Sequence, residues 1–79
     1  MRNIEIYTSQ GCGYCSAAKS MLRNMGLDFK EFDLTRDGSG RQKLIERTGR
    51  RTVPQIFVDG ESIGGYEELA TMRASGELP

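Results

Sequence analysis

The sequence predicts an α/β fold, a four-stranded mixed sheet flanked by three helices in the order β-α-β-α-β-β-α. The chain begins with alternating apolar and polar residues, and a segment with helical periodicity follows. Later, an Asp-Gly pair separates two short runs with strand character. This order makes the first β-α-β unit a parallel, right-handed crossover and the last two strands an antiparallel hairpin. We expect residues 1–79 to form one domain, because a chain of this length has room for a single small core.

The first half of the chain contains the β-α-β unit. Residues 3–8 alternate as in a half-buried strand. A helix is predicted from residue 12 or 13 to residue 25, and Gly26 is placed to end it. The apolar residues of this helix repeat every three or four positions: Ala17, Ala18, Met21, Leu22 and Met25. Residues 27–34 are the second strand candidate.

The second half begins with a polar loop at residues 35–40. Ser39 is the predicted N-cap of a helix over residues 41–48, and Gly49 ends that helix. Residues 55–58 and 61–63 form the hairpin around Asp59-Gly60. A last helix is predicted over residues 66–74.

The composition narrows the possible functions. The formal net charge is zero, which argues against nucleic acid as the main partner, and the chain has no apolar run of the ~18 residues that a membrane helix needs. There is no histidine, so Cys-His and Ser-His nucleophilic schemes are excluded. The two cysteines are too few for a structural zinc site. We expect a cytoplasmic protein.

The two cysteines form the motif Cys12-Gly13-Tyr14-Cys15, where a predicted strand gives way to a helix. The first turn of a helix presents free N–H groups and a partial positive charge, which stabilise a thiolate. Cys15 lies one turn further along, within reach of a disulfide with Cys12. Alternatively, the two cysteines are half of a metal site, or they are adjacent by chance. The sequence favours redox chemistry, and Lys19 either adds positive charge there or is simply solvated.

Three other features allow both a structural and a functional interpretation. Pro54 is either a proline at a strand edge or part of a cis peptide bond, and sequence alone does not choose. Arg50 and Arg51 belong to a basic stretch that is either a solvated surface or an attraction for a substrate carboxylate. Gly64-Gly65 is either a simple turn or a source of bare N–H groups for a carboxylate.

Three motifs together resemble the glutaredoxin family: Cys12-Gly13-Tyr14-Cys15, Thr52-Val53-Pro54 and Ile63-Gly64-Gly65. The resemblance spans the chain from Ile4 to Leu69. It implies a thioredoxin fold, a cis peptide bond before Pro54 and a monomer. It also implies a glutathione-dependent oxidoreductase that reduces protein–glutathione mixed disulfides and protein disulfides.

The resemblance also implies roles for individual residues. Cys12 would be the nucleophile and Cys15 the resolving thiol. Val53 would pair its backbone with glutathione as an added strand. The rest of the glutathione site would come from Tyr14, Thr52, Pro54, Gly65, Tyr66 and Glu67. Glutathione would be a co-substrate, and no cofactor would be tightly bound.

Two alternatives remain at this point. The first is a dimer that binds a [2Fe–2S] cluster, with Cys12 of each chain and two glutathiones as ligands. Gly13 motivates it, because a small residue at this position accompanies cluster binding in some members of the family. The second is a redoxin that thioredoxin reductase reduces.

Overall fold

Seven elements of secondary structure follow one another in the predicted order in the computed structural model, which describes residues 2–78. Each β-α and α-β connection is short, so successive elements are neighbours in space. The elements are β1 (Ile4–Thr8), α1 (Gly13–Asn24), β2 (Lys30–Asp33), α2 (Gly38–Thr48), β3 (Gln55–Val58), β4 (Glu61–Gly64) and α3 (Tyr66–Ser75).

The four strands form one mixed sheet in the order β2-β1-β3-β4. The β1–β2 pair is parallel, with Glu5 opposite Lys30, as the first β-α-β unit predicts. The β1–β3 pair is antiparallel, with Tyr7 opposite Gln55, and the β3–β4 pair is also antiparallel. The predicted architecture is therefore confirmed.

Alternation along β1 and β3 divides the core into two parts. The larger part contains buried residues of the sheet, α1, α3 and the C-terminal segment: Ile4, Ile6, Ala18, Leu22, Ile56, Val58, Leu69 and Leu78. The smaller part contains Leu34, Leu44 and Phe57, and α2 contributes only Leu44 to it. Helices α1 and α3 thus cover one face of the sheet, and α2 covers the other.

The hairpin between β3 and β4 has the turn that its sequence predicts. Asp59 and Gly60 adopt φ values of 53° and 84°. Positive φ at both central residues is typical of the type I′ turn, whose twist matches that of the flanking strands. No helix within residues 2–78 has the length and apolar character needed to cross a membrane.

Two predicted boundaries were wrong. Strand β2 covers only Lys30–Asp33, because residues 27–29 leave α1 and pack toward the main core without joining the sheet. Helix α2 begins at Gly38 instead of residue 41, and its N-cap is Asp37 instead of Ser39. The Asp37 carboxylate accepts hydrogen bonds from the Gly40 amide at 2.9 Å and from the Ser39 hydroxyl at 3.2 Å.

The cap assignment is testable with two matched substitutions. Asp37→Ala should lower the free energy of unfolding by ~1 kcal/mol, because the Gly40 N–H loses its side-chain acceptor. Ser39→Ala should change it by less than ~0.5 kcal/mol, since this hydroxyl only supports the cap. Urea unfolding measures both. A larger loss in Ser39→Ala than in Asp37→Ala would contradict this cap.

Candidate active site

Cys12 is the N-cap residue of α1. Its backbone is extended, with φ −98° and ψ 104°, and its sulfur accepts a hydrogen bond from the Cys15 amide at 3.1 Å. A cap side chain normally offers an oxygen to one of the free N–H groups of the first turn. Here a sulfur takes that place, so the first turn of the helix points its N–H dipoles at the Cys12 sulfur.

The two cysteines lie in different environments. Cys12 is partly exposed, whereas Cys15 is only 2% exposed, and both are free thiols. Burial, with the hydrogen bond and the charge of Cys12, raises the pKa of the Cys15 thiol to about 11, while the Ser9 backbone and the Lys19 ammonium act in the opposite direction. Cys12 is thus the accessible thiol, and Cys15 is a buried thiol that stays protonated at neutral pH.

The segment before β3 lies beside Cys12. The Val53–Pro54 peptide bond is cis, which confirms the geometry that the family resemblance implies. The Val53 carbonyl oxygen lies 3.6 Å from the Cys12 sulfur and accepts a hydrogen bond from the thiol. This contact joins residues 41 positions apart in the sequence.

An open groove of about 400 Å³ lies between the start of α1, the cis-proline segment and the start of α3. It brings together all seven residues that the resemblance assigns to a glutathione site: Tyr14, Thr52, Val53, Pro54, Gly65, Tyr66 and Glu67. The rings of Tyr14 and Tyr66 approach to 5.6 Å between centroids at one wall. Tyr14 is 65% exposed, so this aromatic surface is open to a ligand.

Two successive residues at the junction of β4 and α3, Gly64 and Gly65, have little room for a side chain. Gly64 has a φ of 104°, and a side chain there would collide with the Glu68 carboxylate. A Cβ on Gly65 would lie 3.1 Å from the Pro54 carbonyl oxygen. The start of α3 can therefore approach the cis-proline segment this closely because residue 65 is glycine, whereas the positive φ and the Glu68 side chain favour glycine at residue 64.

Three further residues line the groove: Arg50, Gln55 and Glu68. The Glu68 carboxylate accepts hydrogen bonds from the Gly65 amide at 2.7 Å and from the Arg50 guanidinium at 3.2 Å. The hydrogen bond from Gly65, followed by that from Arg50, lowers the pKa of Glu68 despite the opposing effect of burial. Of the two arginines considered from the sequence, Arg50 reaches the groove and Arg51 is not among its lining residues.

Gln55 and Glu68 were not recognised as site residues in the sequence. Glu68 stands three residues after the N-cap Gly65, which is the spacing of a capping box. Gln55 is the polar member of an otherwise apolar strand, and it is 1% exposed. Its amide nitrogen donates to the Thr52 carbonyl at 3.0 Å and so supports the cis-proline segment from below.

This arrangement supports nucleophilic attack on a disulfide. It combines an accessible thiol at a helix N-terminus, a second thiol one turn away and a groove lined by Val53, whose carbonyl contacts the first thiol. Thiol–disulfide exchange needs only these parts, since the attacking thiolate forms a mixed disulfide that a second thiol resolves.

Comparison with known proteins gives concordant matches. The family model described as glutaredoxin matches residues 4–63. The chain is 44% identical over 78 residues to glutaredoxin 3 of Escherichia coli strain K12, covering 99% of this chain and 94% of that protein. A buckwheat glutaredoxin–glutathione complex superposes with a TM-score of 0.89 at 29% identity, covering 98% of this chain and 73% of that one. The structure of glutaredoxin from Brucella melitensis superposes with a TM-score of 0.85 at 38% identity, covering 96% of this chain and 83% of that one.

The protonated state of Cys15 is testable in a Cys12→Ser variant. Burial is the largest cause of the raised pKa and remains after this substitution. The Cys15 thiol should therefore stay protonated at neutral pH and ionise only well above the ~8.5 of a free cysteine. The NMR chemical shift of its β-carbon, followed against pH, measures the midpoint. The urea-unfolded variant is the control, and equal midpoints in the two states would refute the assignment.

Proposed function

This chain belongs to the glutaredoxin family of glutathione-dependent thiol oxidoreductases and has their thioredoxin fold, and from this membership we propose that it reduces protein–glutathione mixed disulfides through Cys12 and Cys15. The observation that supports this most directly is the position of the Cys12 sulfur. It lies between the Cys15 amide in the first turn of α1 and the carbonyl of Val53, a residue that lines the groove.

The groove suits a peptide with charged ends. Val53 offers a backbone edge beside the nucleophile, to which an extended tripeptide can add as a short strand. At the far end, the amides of Tyr66 and Glu67 open helix α3 and can receive a carboxylate. The Glu67 side chain is exposed there and can receive an ammonium group. We assign the glutathione γ-glutamyl group to this end.

The first chemical step forms one disulfide and breaks another. The Cys12 thiolate attacks the glutathione sulfur of the mixed disulfide, so that a Cys12–glutathione bond replaces the protein–glutathione bond. The substrate protein leaves as a thiolate and takes up a proton. The helix dipole and the Cys15 amide stabilise the negative charge on Cys12 before the attack.

Either of two thiols can then release the enzyme. A second glutathione thiolate attacks the bound glutathione sulfur, which frees Cys12 and leaves glutathione disulfide. Alternatively, Cys15 loses its proton and attacks the Cys12 sulfur, which expels glutathione and leaves a Cys12–Cys15 disulfide. Two further glutathiones reduce that disulfide. The second route also allows the enzyme to reduce protein disulfides.

Disulfide exchange needs only one chain, which distinguishes it from the cluster-binding alternative. Residues 2–78 bring together no group of three or more potential metal ligands. A [2Fe–2S] cluster would therefore need thiolates from a second chain and from glutathione. Disulfide exchange is the function that the groove and the two cysteines of one chain support best.

Cysteine variants provide the main test. With a glutathionylated peptide, glutathione and glutathione reductase, Cys12→Ser should lose turnover altogether, because no other accessible thiol lies beside the groove. Cys15→Ser should retain turnover, since a second glutathione can resolve the adduct. Folding of both variants is checked by circular dichroism. Turnover that survives in Cys12→Ser and vanishes in Cys15→Ser would reverse the two roles and overturn the proposal.

A charge substitution tests the proposed orientation of glutathione. Glu67→Gln should raise the KM for glutathionylated peptide by up to about tenfold with little change in kcat, because a charged hydrogen bond is replaced by a weaker one. Glu61→Gln removes the same charge from an exposed residue of β4 outside the groove lining and serves as the control. Equal KM values for the two variants would mean that Glu67 does not contact the substrate.

A further inference from the structure

A second cavity, of about 440 Å³, touches both cysteines and shares no lining residue with the groove. Its walls come from the end of β1, the loop before Cys12, the first turns of α1 and the strand β2. The charged residues that line it are Lys19, Glu31 and Asp33. We call it the polar pocket. It adjoins Cys15, and glutathione in the groove would leave it uncovered.

A hydrogen-bonded chain fixes Lys19 in this pocket. The Glu31 carboxylate accepts from the Lys19 ammonium at 3.0 Å and from the Thr8 hydroxyl at 2.7 Å, through the same oxygen. Thr8 is only 2% exposed, and the Lys19 and Glu31 side chains are 23% and 33% exposed. The hydrogen bonds from Thr8 and Lys19 keep the pKa of Glu31 below its usual value. The ion pair is therefore anchored to the sheet through a buried residue.

Lys19 lies on the same face of α1 as Cys15, because the two residues are four positions apart in one helix. Its charge offsets that of Glu31 within the polar pocket. Without Lys19, Cys15 would adjoin two carboxylates, Glu31 and Asp33, with no cation in the pocket lining. Negative charge on the buried Cys15 sulfur is already unfavourable, and two uncompensated carboxylates would make it more so.

Resting on the proposed function, we propose that Lys19 is a positioning residue for the resolving step. Held by Glu31 and Thr8, its ammonium stabilises the negative charge that Cys15 acquires when it attacks. In this step Cys15 gives its proton to solvent through the polar pocket, and its thiolate bonds to the Cys12 sulfur. The Cys12–glutathione bond breaks, and glutathione leaves as a thiolate. The opposing effect of the ammonium on the pKa of Cys15 agrees with this role.

The test measures two steps of oxidation separately: first the formation of the Cys12–glutathione disulfide, and then the formation of the internal Cys12–Cys15 disulfide. Reduced protein is mixed with glutathione disulfide and quenched at intervals, and mass spectrometry follows the glutathionylated intermediate and the internal disulfide. Lys19→Gln should slow formation of the internal disulfide by about threefold to fivefold, the scale of one charge at a partly exposed site, and leave the first step unchanged. Lys19→Arg, which keeps the charge, should restore the rate. Arg23→Gln removes a charge further along α1, over the Phe29 ring, and should alter neither step.

A monothiol background shows whether Lys19 acts through Cys15. In Cys15→Ser protein, adding Lys19→Gln should leave deglutathionylation turnover unchanged. A fall in that turnover, or equal slowing of both steps, would assign Lys19 to glutathione binding or to folding. An unchanged resolving rate in Lys19→Gln would make the ion pair a surface feature only. Each of these results overturns the proposal.

A second oxidant distinguishes failure of this inference from failure of the proposed function. Hydroxyethyl disulfide also forms a mixed disulfide with Cys12 but offers no peptide for the groove. If wild-type protein reacts with hydroxyethyl disulfide and not with glutathione disulfide, the proposed glutathione-dependent function is contradicted. The rate of the resolving step can still be measured with hydroxyethyl disulfide. Slower resolution of the hydroxyethyl adduct in Lys19→Gln supports the inference, and equal resolution rejects it.

Discussion

The antiparallel pairing of β1 with β3 is the constraint on which the active site depends. Tyr7, near the end of β1, lies opposite Gln55, the first residue of β3. The loop that leads to Cys12 and the cis-proline segment that precedes Gln55 therefore emerge at the same end of the sheet. A shift of one residue in this register would exchange the faces of β3 and move Val53 away from the Cys12 sulfur. The distance of 3.6 Å between that sulfur and the Val53 carbonyl follows from a pairing formed several residues away.

The two cysteines have separate surroundings because Cys12 is the N-cap of α1, whereas Cys15 lies one turn further along that helix. Cys12 caps the helix and contacts the carbonyl of Val53, which lines the groove, while Cys15 is buried. The groove combines the aromatic rings of Tyr14 and Tyr66 with the carboxylates of Glu67 and Glu68, so it is suited to holding a ligand. The polar pocket on the other side carries the charges that act on Cys15. The glutathione binding and the resolving step that we propose would therefore use different parts of a very small protein.

Local sequence patterns predicted most of the fold and the placement of the two cysteines at the start of a helix, because those features depend on neighbouring residues. The spacing of Cys12 and Cys15, the Asp59-Gly60 turn and the alternation of β1 are all of this kind. Contacts between distant residues were not predictable from the residues alone. The Arg50–Glu68 pair depends on how α3 packs beside the segment after α2, and the Thr8–Glu31 hydrogen bond depends on the β1–β2 register. The cap of α2 was missed because Asp37 and Ser39 are both good cap residues, and only the backbone path selects between them.

The unequal division of the core has a consequence for motion. Among residues 2–78, the face covered by α2 has three buried core residues, against eight on the face covered by α1 and α3. Segments with few buried apolar contacts open at lower free energy than the rest of a domain. We expect α2 to be the first cooperative unit to unfold locally, while the helix bearing the cysteines stays closed. Residues 50–54 follow the Gly49 cap of α2, so one wall of the groove is joined to the layer that we expect to open first, and Cys12 is joined to the layer that we expect to open last.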